Sequence, residues 1–268
     1  MLSWNVEHFK LEKRDVPKII SHINKFDPDV LAIYEVTGKD VYDHMMKHFP
    51  NHSFFITEGP QSQEILVGTR NTLHAFTTQR TEFKSSNTYL RPGTFSTFQV
   101  DGIEYSLLFL HTKSMTAPVG FGIRDDQFQH AFDLKKKLDT KAGGKNLANF
   151  VIMGDLNTMG MTYPFKKSIG YDVELQKLGK NANLRGMHFL KKDFEFTWTN
   201  GKSMMGNLDH VIASNQIKFK KFDSDSEVNV SGWRETYEDP DKNLKNKEFK
   251  HFVSKVSDHN SLYFEIHV

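Results

Sequence analysis

The sequence predicts a mixed α/β fold in one domain that spans residues 1–268. Short apolar runs typical of buried strands alternate along the chain with segments whose apolar residues recur at helical spacing. No Pro-, Gly- or Ser-rich linker divides these segments, and a chain of 268 residues suits one large domain. The composition, 38% hydrophobic and 25% charged, is typical of a globular protein and excludes wholesale disorder.

The individual elements follow from local pattern. A helix is expected near residues 16–26, where apolar residues lie under a charged face, and Asp27-Pro28 ends it. Further helices are expected at 41–49 and 125–140, the second ended by Gly143-Gly144. The charged segment 233–255 lacks an apolar period and is predicted to be a surface loop insertion. Strands are expected at 2–6, 30–34, 53–57, 65–69, 94–100, 104–110, 150–153, 209–213 and 262–268.

Composition also limits the possible chemistry and location. The chain has no cysteine, which excludes disulfides, thiolate metal sites and thiol nucleophiles. No apolar run approaches the ~20 residues that span a bilayer, and no signal peptide opens the given chain. We therefore expect a cytoplasmic protein, an expectation that leaves secretion open. The net charge of +2 gives by itself no argument for a polyanionic partner.

Residues that can bind metal or transfer protons cluster at the ends of the predicted strands. Each group has an ordinary alternative as a strand-end charge, a turn former or a core histidine, but those alternatives would all have to hold together. Carboxylates, an amide and imidazoles gathered at one rim of a sheet make an oxygen-rich site suited to Mg²⁺, or to Mn²⁺. The groups are Trp4-Asn5, Tyr34-Glu35, Leu110-His111, Gly154-Asp155-Leu156-Asn157, Leu208-Asp209-His210 and Ser257-Asp258-His259.

These motifs, in this order, resemble those of the endonuclease/exonuclease/phosphatase superfamily, which has a DNase I-like fold. The resemblance runs from the first predicted strand to the last. It implies a four-layer α/β sandwich, in which two stacked mixed β-sheets are flanked by helices and the active site lies at one end. It also implies a divalent-metal-dependent phosphoester hydrolase.

The resemblance further implies which residues bind the metal and the phosphate. Glu35 would be the main Mg²⁺ ligand, with Asn5 beside it and Asp258 as a further ligand or a supporting group. Asn157 would hold a phosphate oxygen. Arg91 lies where family members often place an arginine that contacts the phosphate, and a surface arginine flanking a turn is the alternative.

The catalytic roles are implied in the same way. Asp155 would orient or deprotonate the attacking water, and His259, oriented by Asp209, would contact the phosphate and transfer a proton; either Asp155 or His259 could be the base. His111 resembles the strand-end histidine of DNase I-like nucleases and lipid phosphodiesterases, which pairs with a glutamate. Glu64 directly precedes the strand expected at 65–69 and is the predicted partner of His111, with an exposed acid at the start of the strand as the alternative.

The sequence leaves the substrate open between three hypotheses. The first is a nuclease acting on DNA or RNA, because Trp233, Arg234 and Tyr237 interleave aromatic and basic side chains that can stack on bases and neutralise phosphates. The second is a phospholipid, sphingomyelin or inositol-phosphate phosphodiesterase or phosphatase with a membrane lipid as substrate. The third is a catalytically silent binding protein. No protein partner is indicated, and a monomer is expected.

Overall fold

The structure is a computed structural model that describes residues 1–237, 242 and 246–267. Its strands are β1 (Leu2–Phe9), β2 (Val30–Val36), β3 (His52–Ile56), β4 (Glu64–Arg70), β5 (Phe76–Arg80), β6 (Gly93–Val100), β7 (Ile103–His111), β8 (Asn149–Asp155), β9 (Met187–Phe189), β10 (Trp198–Thr199), β11 (Met205–Gly206), β12 (Asp209–Ser214), β13 (Lys218–Phe219), β14 (Asn229–Ser231), β15 (Ser261–Tyr263) and β16 (Ile266–His267). Its helices are α1 (Val16–Phe26), α2 (Lys39–His48), α3 (Pro118–Lys141), α4 (Tyr171–Leu184) and α5 (Lys247–His251), with 3₁₀ turns at Thr81–Lys84 and Trp233–Thr236 and a π-helical turn at Phe252–Val256.

Two six-stranded mixed sheets form the centre of the molecule, as the resemblance implied. The first has the strand order β14-β15-β1-β2-β4-β3, and the second has the order β5-β6-β7-β8-β12-β9. Each sheet has one parallel pair at its centre, β1 with β2 and β7 with β8, and antiparallel neighbours around it. Helices α1 and α3 connect the two parallel pairs, as the long crossover between parallel strands requires.

Three apolar layers hold the sandwich together. Between the sheets, Ala32 and Val67 of the first sheet pack with Phe109 and Val151 of the second. Outside the first sheet, apolar side chains of β1 and β2 pack on α1 and α2, and outside the second sheet those of β7 and β8 pack on α3 and α4. A strand covered on both faces must be apolar on both, which explains the continuous apolar runs in the sequence.

The topology brings four strand ends to one edge of the sandwich. Strands β1 and β2 run parallel in one sheet, β7 and β8 run parallel in the other, and Tyr34 of β2 donates a hydrogen bond across the interface to the carbonyl of Met153 at 3.2 Å. The carboxyl ends of parallel strands meet at the same edge of a sheet, so the polar residues at those ends converge.

The segment 233–255 differs from the predicted surface loop in the part that the structure describes, which excludes 238–241 and 243–245. Trp233 begins a 3₁₀ turn and Phe249 lies in α5, and both side chains are buried. Their rings lie edge to face, with centroids 6.1 Å apart. This part of the chain therefore contributes to the core as well as to the surface.

Among the described residues, no helix combines the length and the apolar character that crossing a membrane requires.

Candidate active site

A row of three polar residues crosses the second sheet. His111 at the end of β7 and Asp209 at the start of β12 are the direct neighbours of Asp155, the last residue of β8, on its two sides. All three side chains are buried. Nε2 of His111 lies 3.5 Å from Oδ2 of Asp155, so these strand ends form one contiguous cluster.

The first sheet adds Asn5 and Glu35 to this row. The amide nitrogen of Asn5 donates to Oδ2 of Asp155 at 2.9 Å and to Oε1 of Glu35 at 3.2 Å, while its amide oxygen accepts from the backbone of Glu7. Oε1 of Glu35 also lies 3.6 Å from Nε2 of His111. Asn5 thus holds the two carboxylates side by side.

His259 completes the cluster from the segment before β15. Its Nδ1 lies 2.8 Å from Oδ2 of Asp209, and its Nε2 lies 3.8 Å from Oδ2 of Asp155. The backbone carbonyl of His259 accepts a hydrogen bond from the indole of Trp4 at 3.0 Å, which fixes this segment against β1. The predicted contact between His259 and Asp209 is therefore formed.

Two unusual backbone conformations place Asp155 and Asn157. Gly154 has a φ of +140°, and a Cβ there would lie 1.9 Å from the carbonyl oxygen of Leu110, so only glycine fits between β7 and β8. Asn157 has a φ of +47°, a conformation that asparagine tolerates better than most residues. Its backbone nitrogen donates to Oδ1 of Asp155 at 3.0 Å and its side-chain amide to the carbonyl of Thr112.

Burial and crowding shift the pKa values of the cluster in opposite senses. Burial and the neighbouring Asp209 carboxylate raise the pKa of Asp155 well above its ordinary range. Burial would lower the pKa of His259, but the carboxylates of Asp209 and Asp155 outweigh it and raise that pKa well above the ordinary value. Burial and the Arg91 guanidinium lower the pKa of His111. Around neutral pH, His259 is therefore the protonated histidine and His111 the neutral one.

The donor set fits a divalent cation. Glu35, His111 and Asp155 each offer a ligand atom, and these atoms lie within 4.8 Å of one another. Asp155, Asp209 and His259 form a second such group, whereas Asp258 belongs to neither among the described residues. Asp258 accepts from the indole of Trp198 at 2.7 Å, and its buried Oδ1 lacks a hydrogen-bond partner among the described residues. A cation nearby would satisfy that oxygen.

The predicted pairing of Glu64 with His111 is wrong. The Glu64 carboxylate accepts from Thr57 Oγ1 at 2.5 Å and from Gln61 Nε2 at 2.8 Å, and it lines a groove of about 1280 Å³ beside the cluster. Nδ1 of His111 has no hydrogen-bond partner in the described chain. Alternation along β4 is the reason: Ile65 packs between the two sheets and Leu66 packs on the side of α1 and α2, so Glu64 lies on the same side as Leu66. In β2, a bulge between Tyr34 and Val36 sets Glu35 at a φ of +63°.

The side chain that reaches the cluster from the start of β4 is Gln63. It donates to Oε2 of Glu35 at 2.9 Å and accepts from Nη1 of Arg91 at 2.6 Å. Arg91 also donates to the carbonyls of His111 and Thr112, both at 3.2 Å. A glutamine beside a glutamate before a strand is ordinary, but alternation was a signal for Gln63. Gln63 is two residues before Ile65, which packs between the sheets, so the two side chains share a face.

The aromatic and basic residues expected to grip the substrate have intramolecular roles. The prediction is wrong for Trp233, which is fully buried and donates to the carbonyl of Asp258 at 3.0 Å. Arg234 pairs with Asp193 at 2.7 Å and lies over the ring of Phe194. The ring of Tyr237 packs against Trp233, with centroids 5.9 Å apart.

The fold and the cluster define a phosphoester hydrolase of the DNase I-like type. Residues 2–259 match the model of the endonuclease/exonuclease/phosphatase family. The chain belongs to this family, and the resemblance seen in the sequence is confirmed. Comparison with curated protein sequences gives no significant match.

Solved structures share the fold at low sequence identity. A complex of TDP2 from D. rerio with a single-strand DNA product has a TM-score of 0.69 at 14% identity, covering 100% of this chain and 98% of that one. The catalytic domain of human Nocturnin with a bound sulfate has a TM-score of 0.63 at 14% identity, covering 99% and 92%. A mannosyl-6-phosphatase from Bacteroides thetaiotaomicron has a TM-score of 0.57 at 18% identity, covering 94% and 90%.

Proposed function

We propose that this protein is a metal-dependent nuclease that hydrolyses phosphodiester bonds of DNA or RNA by in-line attack of an activated water. The observation that carries the proposal is the position of Asp155, which lies within 3.8 Å of Nε2 of both histidines and accepts a hydrogen bond from Asn5. This arrangement supports the proposal, because a base, a proton donor and a phosphate-binding group would then surround one small space.

Asp155 is the base in this proposal. Its raised pKa makes its carboxylate a better proton acceptor than an ordinary aspartate, and the bond from the Asn157 backbone to Oδ1 fixes its orientation. His259 cannot accept the proton while it is itself protonated. Its imidazolium instead donates to a phosphate oxygen and neutralises charge that develops in the transition state.

Arg91 and Asn157 bind the phosphate in this scheme, and Asp209 fixes the orientation of His259. Glu35 would hold the metal together with its neighbours at the cluster, and Asp258 supports the site through its unpaired oxygen. A bound Mg²⁺ or Mn²⁺ supplies Lewis-acid stabilisation of negative charge on the phosphoryl oxygens. Asn5 serves mainly by holding Glu35 and Asp155 in place.

A nucleic acid is favoured as substrate by the charge of the loops around the cluster. Residues 112–124 follow His111 and residues 157–171 follow Asp155, and neither segment contains an acidic residue. The first contains Lys113, and the second contains Lys166 and Lys167. A polyanion is attracted to such a rim. Among the structures with this fold, one holds a single-strand DNA product, and another is a phosphatase, so a sugar or lipid phosphate is the alternative substrate class.

The test is a substrate panel run on wild type and Asp155→Asn side by side. Plasmid, single-stranded DNA, RNA, sphingomyelin vesicles, inositol phosphates and a sugar phosphate are incubated with Mg²⁺, and again with EDTA. We expect Mg²⁺-dependent cleavage of a nucleic acid by the wild type, reduced about 10³-fold or more in the variant. Cleavage of the lipid or sugar phosphate alone would refute the nuclease function. Wild-type activity that persists in EDTA would refute the metal dependence.

A further inference from the structure

The loop that follows Asn157 carries an exposed aromatic and basic tip. Gly160 turns the chain at a φ of +73°, and two hydrogen bonds of 2.8 Å between Met161 and Ile169 close the loop. The tip, defined as residues 163–167 (Tyr-Pro-Phe-Lys-Lys), projects beyond this closure. Phe165 has 84% of its surface exposed and Tyr163 has 38%, which is unusual for large apolar side chains with no structural task.

The base of the tip is rigid and is joined to the other loop at the cluster. The backbone of Thr162 donates to the carbonyl of Thr116 at 2.7 Å. The fully buried guanidinium of Arg124 donates to the carbonyls of Met115 at 2.8 Å and Gly160 at 2.9 Å. The base of the tip is therefore held in place, and the chain between Asn157 and Tyr163 spans at most about 20 Å.

The two rings of the tip are arranged for contact with a ligand. Tyr163 and Phe165 lie edge to face with their centroids 6.0 Å apart. Met115, in the loop joined to the tip, and Val119, in the first turn of α3, are also exposed. Lys166 and Lys167 are exposed beside the rings, and no acidic residue lies between Asn157 and Tyr171 to offset them. Aromatic rings next to unpaired positive charge complement unstacked bases on a polyanionic backbone.

We propose that this tip binds unpaired nucleotides of a single-stranded nucleic acid next to the phosphate that is cleaved, with Phe165 stacking on a base and Lys166 and Lys167 contacting phosphates. The proposal rests on the nuclease function and adds a preference for single strands. Bases inside a duplex are stacked on one another and present no free face to Phe165. An anionic lipid surface, which would also attract lysines beside aromatic side chains, is the competing occupant.

The experiment measures binding without hydrolysis. Fluorescence anisotropy with a labelled single-stranded oligonucleotide, in EDTA, compares wild type with Phe165→Ala, Phe165→Trp and Phe76→Ala. Phe76 is the matched control, since it is a phenylalanine with 69% exposure outside the tip. We expect Phe165→Ala to weaken the dissociation constant about 10-fold, Phe165→Trp to preserve it and Phe76→Ala to change it less than about 2-fold. Lys166→Gln with Lys167→Gln should reduce the slope of log K against log salt by about 1.4.

Several results would overturn the proposal. They are no binding of the oligonucleotide by the wild type, an equal loss in Phe76→Ala, and no loss in Phe165→Ala. A loss in Phe165→Ala that appears only with vesicles of phosphatidylcholine and phosphatidylserine would assign the tip to lipid instead. The test is separate from the substrate panel. If the protein binds the oligonucleotide through Phe165 but cleaves no nucleic acid, the binding role of the tip stands and the nuclease function is refuted. If the protein cleaves nucleic acid but Phe165→Ala leaves binding unchanged, the nuclease function stands and the binding role of the tip is refuted.

Discussion

Two buried polar clusters of the molecule differ in how their charges are balanced. In the first, Arg124 pairs with Glu174 at 2.8 and 3.0 Å, and both side chains also bind backbone groups of the loops at Lys113, Met115 and Gly160. In the second, the carboxylates of Asp155, Asp209 and Glu35 crowd around two histidines, one with a raised pKa and the other with a lowered pKa.

The difference separates a structural cluster from a chemical one. A buried ion pair with every bond satisfied stabilises the loops it touches and has no reason to bind anything else. A cluster with excess buried carboxylate is costly until a cation or a proton neutralises it. In the proposed mechanism that unfavourable state prepares Asp155 to take a proton, so the same crowding would cost stability and support function.

The largest expected effect follows from removing the central charge. Asp155→Asn should lower kcat about 10³- to 10⁴-fold, because the base is lost, yet leave the free energy of unfolding unchanged or higher, because a crowded buried carboxylate is gone. Hydrolysis rates and urea denaturation of the same preparation measure the two effects. A loss of several kcal/mol in stability would place Asp155 with the structural cluster.

Substitution in the cluster of Arg124 and Glu174 should instead lower stability. Glu174→Gln leaves the Arg124 guanidinium buried without its counter-charge, and we expect the free energy of unfolding to fall by about 3–5 kcal/mol. Asp125→Asn is the control, since it breaks an exposed pair with Lys177 and should cost less than about 1 kcal/mol. Equal effects of the two substitutions in urea denaturation would contradict the role assigned to Arg124 and Glu174.

A smaller effect is expected from metal binding, which should stabilise the protein through the cluster at Glu35 and Asp155. Adding Mg²⁺ at 100 times its dissociation constant should stabilise the wild type by about 2.7 kcal/mol, seen as a rise in Tm. Glu35→Gln should abolish that rise, whereas Asp125→Asn should keep it. A rise in Tm that persists in Glu35→Gln would mean that the ion binds elsewhere.

The smallest effect is expected at Glu64, whose side chain faces away from the cluster. Glu64→Gln should change kcat by less than about 3-fold, because Glu64 bonds to Thr57 and Gln61 instead of His111. Gln63→Ala should lower kcat about 10-fold, since it frees both Glu35 and Arg91 from the side chain that connects them. Steady-state kinetics on the substrate found by the panel measure both, and the opposite ranking would contradict the geometry.

The sequence predicts the residues at the strand ends well and the details between strands poorly. His111, Asp155 and Asp209 converge because register in a buried sheet follows from the apolar pattern. Glu64 was misplaced because side chains alternate along β4: Ile65 packs between the sheets, so Glu64 next to it faces the other side. Helix α4 has no clear apolar period, since its buried face includes Glu174 beside Leu178 and Ala182. A charge satisfied by a partner 50 residues away leaves no local signal.

The burial of Trp233 was also not predictable from its local sequence. Its neighbours Arg234 and Glu235 are polar, which predicts an exposed segment. Its burial comes from tertiary contacts: its ring packs on Phe249, and its indole donates to the carbonyl of Asp258. Phe165 is the converse case. A phenylalanine after a proline in a strand-poor segment gives no sign that 84% of its surface is exposed.

The hydrogen bond from Ser257 Oγ to the carbonyl of Asn5, at 2.6 Å, joins residues 252 positions apart. A ribosome adding about 5–20 residues per second takes about 10–50 s to make that interval. During this time the nascent chain already contains Asn5 and Glu35 but lacks His259. The cluster can therefore assemble only after the ribosome has added His259.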